Sequence, residues 1–338
     1  MTSRLKDNLC SKNNLELKNN QKKKVVVIGG GTGVFTVLTG LKKYGYKLSA
    51  IVSMADDGGS SGILREEFGI LPPGDIRRAL IALSNTDNKI LSDLFNYRFK
   101  EGKGLKGHSF GNLFLTVLQR LTGSFQEAVK EAAKILNTKG EIIPVTLSSC
   151  RLFAKLENNQ IIKGEKNIDI PKHNGLIKIK KVWLKPKVKA NIEAIKAIQN
   201  ADAIILGPGD LFTSIIPNLL VENIKKTIRK SPAKKIYICN LVTKFGETDA
   251  FKASDFLKTI EKYLGKNILD YFIVNVAKPK KSVFKRYRLE KSKIVEIDEK
   301  ELLKTKKIKL IKADLLRENS SLLRHNPHKL SKLINQLI

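Results

Sequence analysis

Apolar residues come in two textures along the chain, and the order in which they alternate predicts the architecture. Residues 25–28 are an unbroken β-branched run, ended by four glycines within five residues, and residues 34–41 then carry apolar side chains at helical spacing. That order predicts a buried strand, a tight loop and a helix. A second strand over 48–52 runs into the polar loop ADDGGSSG, and apolar positions three and four apart predict helices over 75–83, 89–99, 113–121 and 124–136. Beyond residue 190 the rhythm is regular, with helix 191–199, strand 203–206, helix 215–229, strand 236–239, helix 253–264 and strand 271–275. Strands that alternate with helices imply an α/β fold whose parallel sheet has right-handed crossovers and helices on both faces.

Three stretches depart from this rhythm. Residues 141–185 alternate in short runs (LFAKLE, QIIKGE, LIKIKKVWL) with Asn158-Asn159 as a turn, which predicts an inserted antiparallel ribbon. Near the end, KIVEI and KIKLI predict two short strands, and Asn326-Pro327 introduces a helix whose apolar face is Leu330, Leu333, Ile334, Leu337 and Ile338. That face suits the core or, failing that, a homo-oligomer surface. Residues 1–24 are polar, rich in Asn and Lys and without sustained period, so they are expected to be a disordered tail. No flexible linker or repeat interrupts residues 25–338, which are expected to form a single domain.

Composition removes several alternatives. An apolar fraction of 42% with 28% charged residues suits a globular chain with a sizeable core. No apolar run approaches the ~18 residues of a membrane span, and the first residues lack a signal-peptide core, so a cytoplasmic protein is expected. Cys10, Cys150 and Cys239 are far apart and fit free thiols, and no ligand spacing for a structural metal is present. The net charge of +31 invites nucleic acid, but only 12 of the 63 basic residues are arginine and the lysines are spread along the chain. That distribution describes a solvated surface better than a reading groove, so no specific nucleic acid is expected.

The chemistry is concentrated in loops that follow strands, where an open parallel sheet binds its ligands. GGGTG (29–33) can turn backbone N–H groups and a helix N-terminus towards an anion through Gly30, Gly31 and Thr32. It is neither GxGxxG nor a P-loop. A dinucleotide site would also want a carboxylate ending the second strand, where Val52 and Ser53 stand. ADDGGSSG offers Asp56, Asp57, Ser60 and Ser61, a set suited to sugar hydroxyls, to phosphate, or to Mg²⁺ held through Asp56 or Asp57. LPPGDIRR adds Asp75 and Arg77, able to bridge a ligand or to pair with each other. GHSFGN adds His108, Ser109 and Asn112, with His108 open to acid–base work or to a purely structural hydrogen bond. GPGDLFTS supplies Gly207, Pro208, Gly209, Thr213 and Ser214, and NLVTKFGETD supplies Asn240, Thr243 and Glu247. No nucleophile elbow, zincin or kinase set is present. The loops together point to a nucleotide or phosphate-ester ligand.

Taken in order, VVVIGGGTG, ADDGGSSG, LPPGDIR, GHSFGN, GPGDLFTSIIPNLL and CNLVTKFGET resemble the family that joins the bacterial gluconeogenesis factors (YvcK-like) with the 2-phospho-L-lactate transferases of coenzyme F420 synthesis (CofD-like). YRFKEGKGLKGHSFGNL, SIIPNLLV, GETDAF and Arg324-His325 are similar to the gluconeogenesis-factor branch. The resemblance implies a Rossmann-like cytosolic protein that binds UDP-sugars such as UDP-N-acetylglucosamine, requires no cofactor beyond an optional Mg²⁺, and serves cell shape and wall-precursor supply in gluconeogenic growth. It implies that Gly30 to Thr32, Asp56, Asp57, Asn112, Gly207 to Gly209 and Asn240 line the site, with Tyr287 and Arg324 as C-terminal contacts. The alternative it carries is transfer of a 2-phospholactyl-type group to a deazaflavin. Two departures stand out: the family pattern implies Ser where Asp210 stands and Met-Thr-Gln where Val242-Thr243-Lys244 stand. A carboxylate beside a diphosphate repels it unless Lys244 or Mg²⁺ compensates.

Overall fold

The computed structural model describes residues 22–85, 89–304, 307–318 and 322–338. The expected tail, apart from Lys22, Lys23 and Lys24, lies outside the described residues, as does Cys10. In chain order the first half comprises β1 (Lys24–Gly29), α1 (Gly31–Leu41), β2 (Lys47–Val52), α2 (Gly59–Phe68), α3 (Gly74–Leu83), α4 (Lys89–Asn96), α5 (Phe110–Thr122), α6 (Phe125–Ile135) and β3 (Glu141–Pro144). Next come β4 (Arg151–Leu156), β5 (Ile161–Lys163), α7 (Glu165–Asp169), β6 (Ile179–Lys185), α8 (Ile192–Gln199) and β7 (Ala203–Leu206). The remainder is a π-helical turn (Leu211–Ile215), α9 (Ile216–Leu220), α10 (Ile224–Lys230), β8 (Lys234–Ile238), α11 (Ala253–Leu264), β9 (Tyr271–Asn275), α12 (Lys281–Leu289), α13 (Glu299–Leu302), β10 (Lys309–Ala313) and α14 (Pro327–Leu337).

Seven strands form one parallel sheet in the order β10-β9-β8-β7-β1-β2-β3. Val25 to Ile28 and Ile204 to Leu206 are fully or almost fully buried, as continuous apolar strands covered on both faces must be. Strand order reverses between β1 and β7, where Ile28 lies opposite Leu206. The crossover connections that follow these two strands therefore run to opposite faces of the sheet, and the crevice at the ends of the two strands is the natural ligand position.

The inserted antiparallel layer is real but shorter than the alternation predicts. Residues 141–144 pair in parallel with β2 as the edge of the main sheet, and only β5-β4-β6 form the antiparallel layer. Four residues are too few for a period to separate a parallel from an antiparallel strand. Helix 215–229 is likewise interrupted: Val221 ends α9 in extended backbone, and Asn223, at φ +73°, restarts the chain into α10. KIKLI is shifted into β10, whereas Ile294 of KIVEI makes only an isolated bridge to Val242. ADDGGSSG is less a loop than the start of α2, which places Ser60 and Ser61 in a first helical turn.

The C-terminal helix packs inwards. Leu330 and Ile334 are fully buried, Leu333, Leu337 and Ile338 rest against the same core, and a Cβ on Gly40 of α1 would strike the Pro327 carbonyl. Asn326 caps α14 by accepting N–H bonds from His328 and Lys329. Cys150 and Cys239 are buried free thiols. Among the described residues no helix is long and apolar enough to cross a membrane.

Candidate functional site

Because β1 and β7 are neighbours, GGGTG and GPGD leave adjacent strand ends and press against each other. A Cβ on Gly33 would strike the backbone carbonyl of Pro208, and one on Gly30 would strike the Asp75 carboxylate. Gly31 has φ +64°, a conformation that L side chains rarely adopt, so α1 can begin abruptly at the loop. The result is a cleft with two chambers. One, of about 370 Å³, is floored by Gly30, Gly31 and Thr32 and walled by Asp56, Ser60, Asp75, Arg77 and Asn112. The other, of about 360 Å³, is bounded by Pro208, Asn240, Thr243, Lys244, Tyr287 and His325. Thr32, Gly33, Gly209, Asp210 and Arg324 border both. A larger cavity, about 670 Å³, opens at the other ends of β1, β2 and β3 and contains none of these loops. Strand direction, rather than size, selects the cleft.

Five sequence-selected residues line neither chamber: Asp57, His108, Ser109, Gly207 and Glu247. Gly207, at φ +71°, sits behind the turn. Asp57 is turned away: its carboxylate accepts the Lys166 N–H at 2.8 Å and lies 3.8 Å from Arg151, tying α2 to α7 and β4. Of the two Mg²⁺ candidates, only Asp56 lines the cleft. Arg77 does line it, but its guanidinium is occupied inward, with Nε donating to Asn112 Oδ1 at 3.1 Å and Nη1 to Asn96 Oδ1 at 3.0 Å. Burial lowers its pKa to about 10, and the ion-pair partner of Asp75 is Arg78, at 3.4 Å, rather than Arg77. Tyr287 accepts the Leu323 N–H at 2.9 Å and so holds the segment bearing Arg324 and His325. In the same chamber Asn240 Oδ1 and His325 Nε2 are buried without a hydrogen-bond partner among the described residues.

Sequence reasoning missed the wall contributed by α7. Glu165, Lys166, Asp169 and Ile170 line the first chamber, and Glu165 is pushed up to about 10 by burial and by Asp56, Asp169 and Asp57. A five-residue helix has too little period to be seen in a sequence. Asp56 accepts the Gly58 N–H at 2.9 Å yet is raised by burial, and Asp75 is raised to about 6 by burial and then by Asp56. A carboxyl whose folded pKa exceeds its unfolded value stabilises the protein below the unfolded value, and that stability is lost as pH rises through the folded value. For Asp75 this window runs from the ordinary carboxyl value of 3.8 to about 6. The ligand-free protein is therefore expected to melt at lower temperature at pH 7.5 than at pH 5. At pH 7.5 Asp75→Asn is expected to melt about 2–4 °C above the wild type by differential scanning fluorimetry. An unchanged or lowered midpoint in the variant would contradict the charge repulsion.

The second departure from the family pattern resolves the first. Lys244 bonds to Asp169 and to Asp210, the latter at 2.8 Å, and stands 3.4 Å from Glu247. The three carboxylates are close enough to share one cation, and Lys244 supplies an ammonium among them. Glu247 is fully buried, accepts from Phe212 N–H and Thr213 Oγ1 at 3.1 and 3.0 Å, and thus fixes the π-helical turn behind Asp210. Burial raises Glu247 to about 7, against the pull of Lys244. Burial disfavours the Lys244 ammonium, but Glu247, Asp210 and Asp169 outweigh it and raise its pKa.

Comparisons with known proteins identify the family of the chain. The family model described as 2-phospho-L-lactate transferase CofD matches residues 25–316. The gluconeogenesis factor of Halalkalibacterium halodurans is 44% identical over 315 residues, covering 93% of this chain and 96% of that protein. The gluconeogenesis factor of Bacillus subtilis is 40% identical over 319 residues, covering 94% and 99%. A crystal structure of a Bacillus halodurans protein superposes with a TM-score of 0.89 at 43% identity, over 93% of this chain and all of that one. With the family motifs converging on one crevice and relatives matched along nearly their whole length, the chain belongs to the gluconeogenesis-factor (YvcK-like) family, within the larger CofD-like family.

Proposed function

We propose that the protein is a UDP-sugar-binding regulator, with UDP-N-acetylglucosamine as the representative ligand, serving wall-precursor supply and cell shape when growth depends on gluconeogenesis. The observation that carries this reading is the two-chambered cleft. Two spaces of about 370 and 360 Å³ meet at Thr32, Gly33 and Gly209, where backbone N–H groups at the start of α1 can face a diphosphate. A nucleoside on one side and a sugar on the other would then span the ridge, in a total volume within the range of small-molecule sites. Arg324, bordering both chambers, is placed to offset phosphate charge. Calorimetric titration of the purified protein with UDP-N-acetylglucosamine tests the proposal, with saturable heat and a raised melting temperature expected. No heat and no thermal shift at millimolar ligand would overturn it.

One observation supports the transferase alternative. Asp56 and Asp75 are buried carboxyls, both raised by burial, and Asp75 is raised further by Asp56, which is a donor set a divalent cation would relieve. Mg²⁺ fits there by chemistry, held by Asp56 and Asp75, and would supply charge neutralisation for a departing nucleotide. Asp57, engaged with α7, is not part of that set.

A further inference from the structure

Behind the first chamber runs a chain of four polar side chains whose hydrogen-bond direction is determined from one end. Arg77 can only donate, so its Nε bond, 3.1 Å long, fixes the oxygen of Asn112 towards it. Asn112 Nδ2 consequently faces the other way and donates to Ser60 Oγ at 3.1 Å. Ser60 Oγ is also 3.1 Å from His108 Nδ1. All four residues are buried, at 3 to 6% exposure. The close fit depends on Gly111, since a Cβ there would lie 2.6 Å from Arg77 Cδ and 2.7 Å from the Phe95 carbonyl.

A hydroxyl has one proton and two lone pairs. With one lone pair taken by Asn112, the Ser60 proton either goes to a bare His108 Nδ1 or points into the chamber while His108 donates. The first arrangement satisfies Ser60, Asn112 and His108 Nδ1 together. The second leaves the Ser60 proton without an acceptor among the described residues, served only by solvent in the chamber, so the hydrogen bonds of the chain close among protein groups only in the first. We infer that Ser60 presents a lone pair, not a proton, to the first chamber, and that it reads an uncharged donor such as a sugar hydroxyl. His108 acts through Ser60 as a positioning residue. Phosphate oxygens, being acceptors, are directed away from Ser60 towards the GGGTG backbone.

The inference assigns the sugar end of the ligand to the first chamber and so rests on the UDP-sugar reading. Its test has two independent arms. In ¹⁵N-labelled, ligand-free protein at neutral pH, long-range ¹H–¹⁵N correlations of His108 are expected to show an unprotonated Nδ1 with the proton on Nε2. In calorimetry, Ser60→Ala is expected to weaken UDP-N-acetylglucosamine about tenfold, one good hydrogen bond, while leaving inorganic diphosphate unchanged. His108→Phe, which removes the acceptor of the Ser60 proton, is expected to weaken the nucleotide sugar without weakening diphosphate. A protonated Nδ1, or equal losses for both ligands in Ser60→Ala, overturns the inference even when the wild type binds normally. Absence of wild-type binding overturns the functional reading instead, and the hydroxyl assignment with it.

Discussion

Lys244→Gln is expected to lower stability by about 2–3 kcal/mol and to loosen the cleft, while Asp210→Ser in the same chain is expected to recover a large part of that loss. Removing one partner of a buried ion pair leaves an uncompensated charge, which costs roughly 3–5 kcal/mol when burial is complete. Lys244 keeps 29% of its side chain exposed, and Asp210 keeps 40%, so solvent screening reduces the figure. What cannot escape is Glu247, whose side chain has no exposure and which holds the Phe212 N–H and Thr213 hydroxyl in place. Without Lys244 it stands beside Asp169 and Asp210 alone, and proton uptake follows at higher pH. Deleting Asp210 as well removes one of the repelling charges, so the two substitutions are strongly non-additive. Urea unfolding of both single variants and the double variant measures this directly. Additive losses would show that Lys244 and Asp210 do not act as a unit.

That pair also shows where sequence reasoning succeeds and where it runs out. Asp210 and Lys244 stand out in the sequence as departures from the family pattern, and charge balance suggests that one compensates the other. Asp169 does not stand out, because it reaches the same ammonium from the inserted layer through a helix of five residues. Strands β1, β2, β7, β8 and β9 were legible because burial makes them continuous apolar runs, and their order along the chain places the glycine loops at one edge. Orientation within a loop was not legible. Asp56 and Asp57 are adjacent and chemically identical, yet one lines the cleft and the other anchors α7, a difference set by Lys166 and Arg151 far along the chain. Likewise KIVEI has strand composition, but its backbone is spent on the loop after β8: Thr243 N–H donates to the Lys293 carbonyl at 2.7 Å and Val295 N–H to the Leu241 carbonyl at 3.1 Å. It braces the second chamber instead of extending the sheet. Arg77 illustrates the same limit, since an arginine after a glycine turn suggests phosphate, whereas its Nε and Nη1 are committed to Asn112, Asn96 and Phe95.

The opening glycine loop allows the sharpest separation of ligand contact from packing. Gly33→Ala adds one methyl group where the carbonyl oxygen and carbon of Pro208 already stand, with Gly209 N at 3.0 Å behind them. Those neighbours are backbone atoms of a turn held by the Gly207 N–H to Ile28 carbonyl bond at 3.0 Å, so they cannot rotate aside as a side chain would. Overpacking of this kind costs about 1–3 kcal/mol, and the strain is relieved only by parting α1 from the GPGD turn. The same parting moves Thr32 and Gly209, the ridge shared by the two chambers. Gly33→Ala is therefore expected both to lower the melting temperature and to weaken UDP-N-acetylglucosamine by well over tenfold. Gly45→Ala is the control: its φ of +71° strains any substitute, but no atom lies within 4 Å of the added Cβ. It is expected to lose stability, at about 1 kcal/mol, without losing affinity. If Gly33→Ala keeps wild-type affinity once allowance is made for the unfolded fraction, the ridge between β1 and β7 is not where the ligand sits.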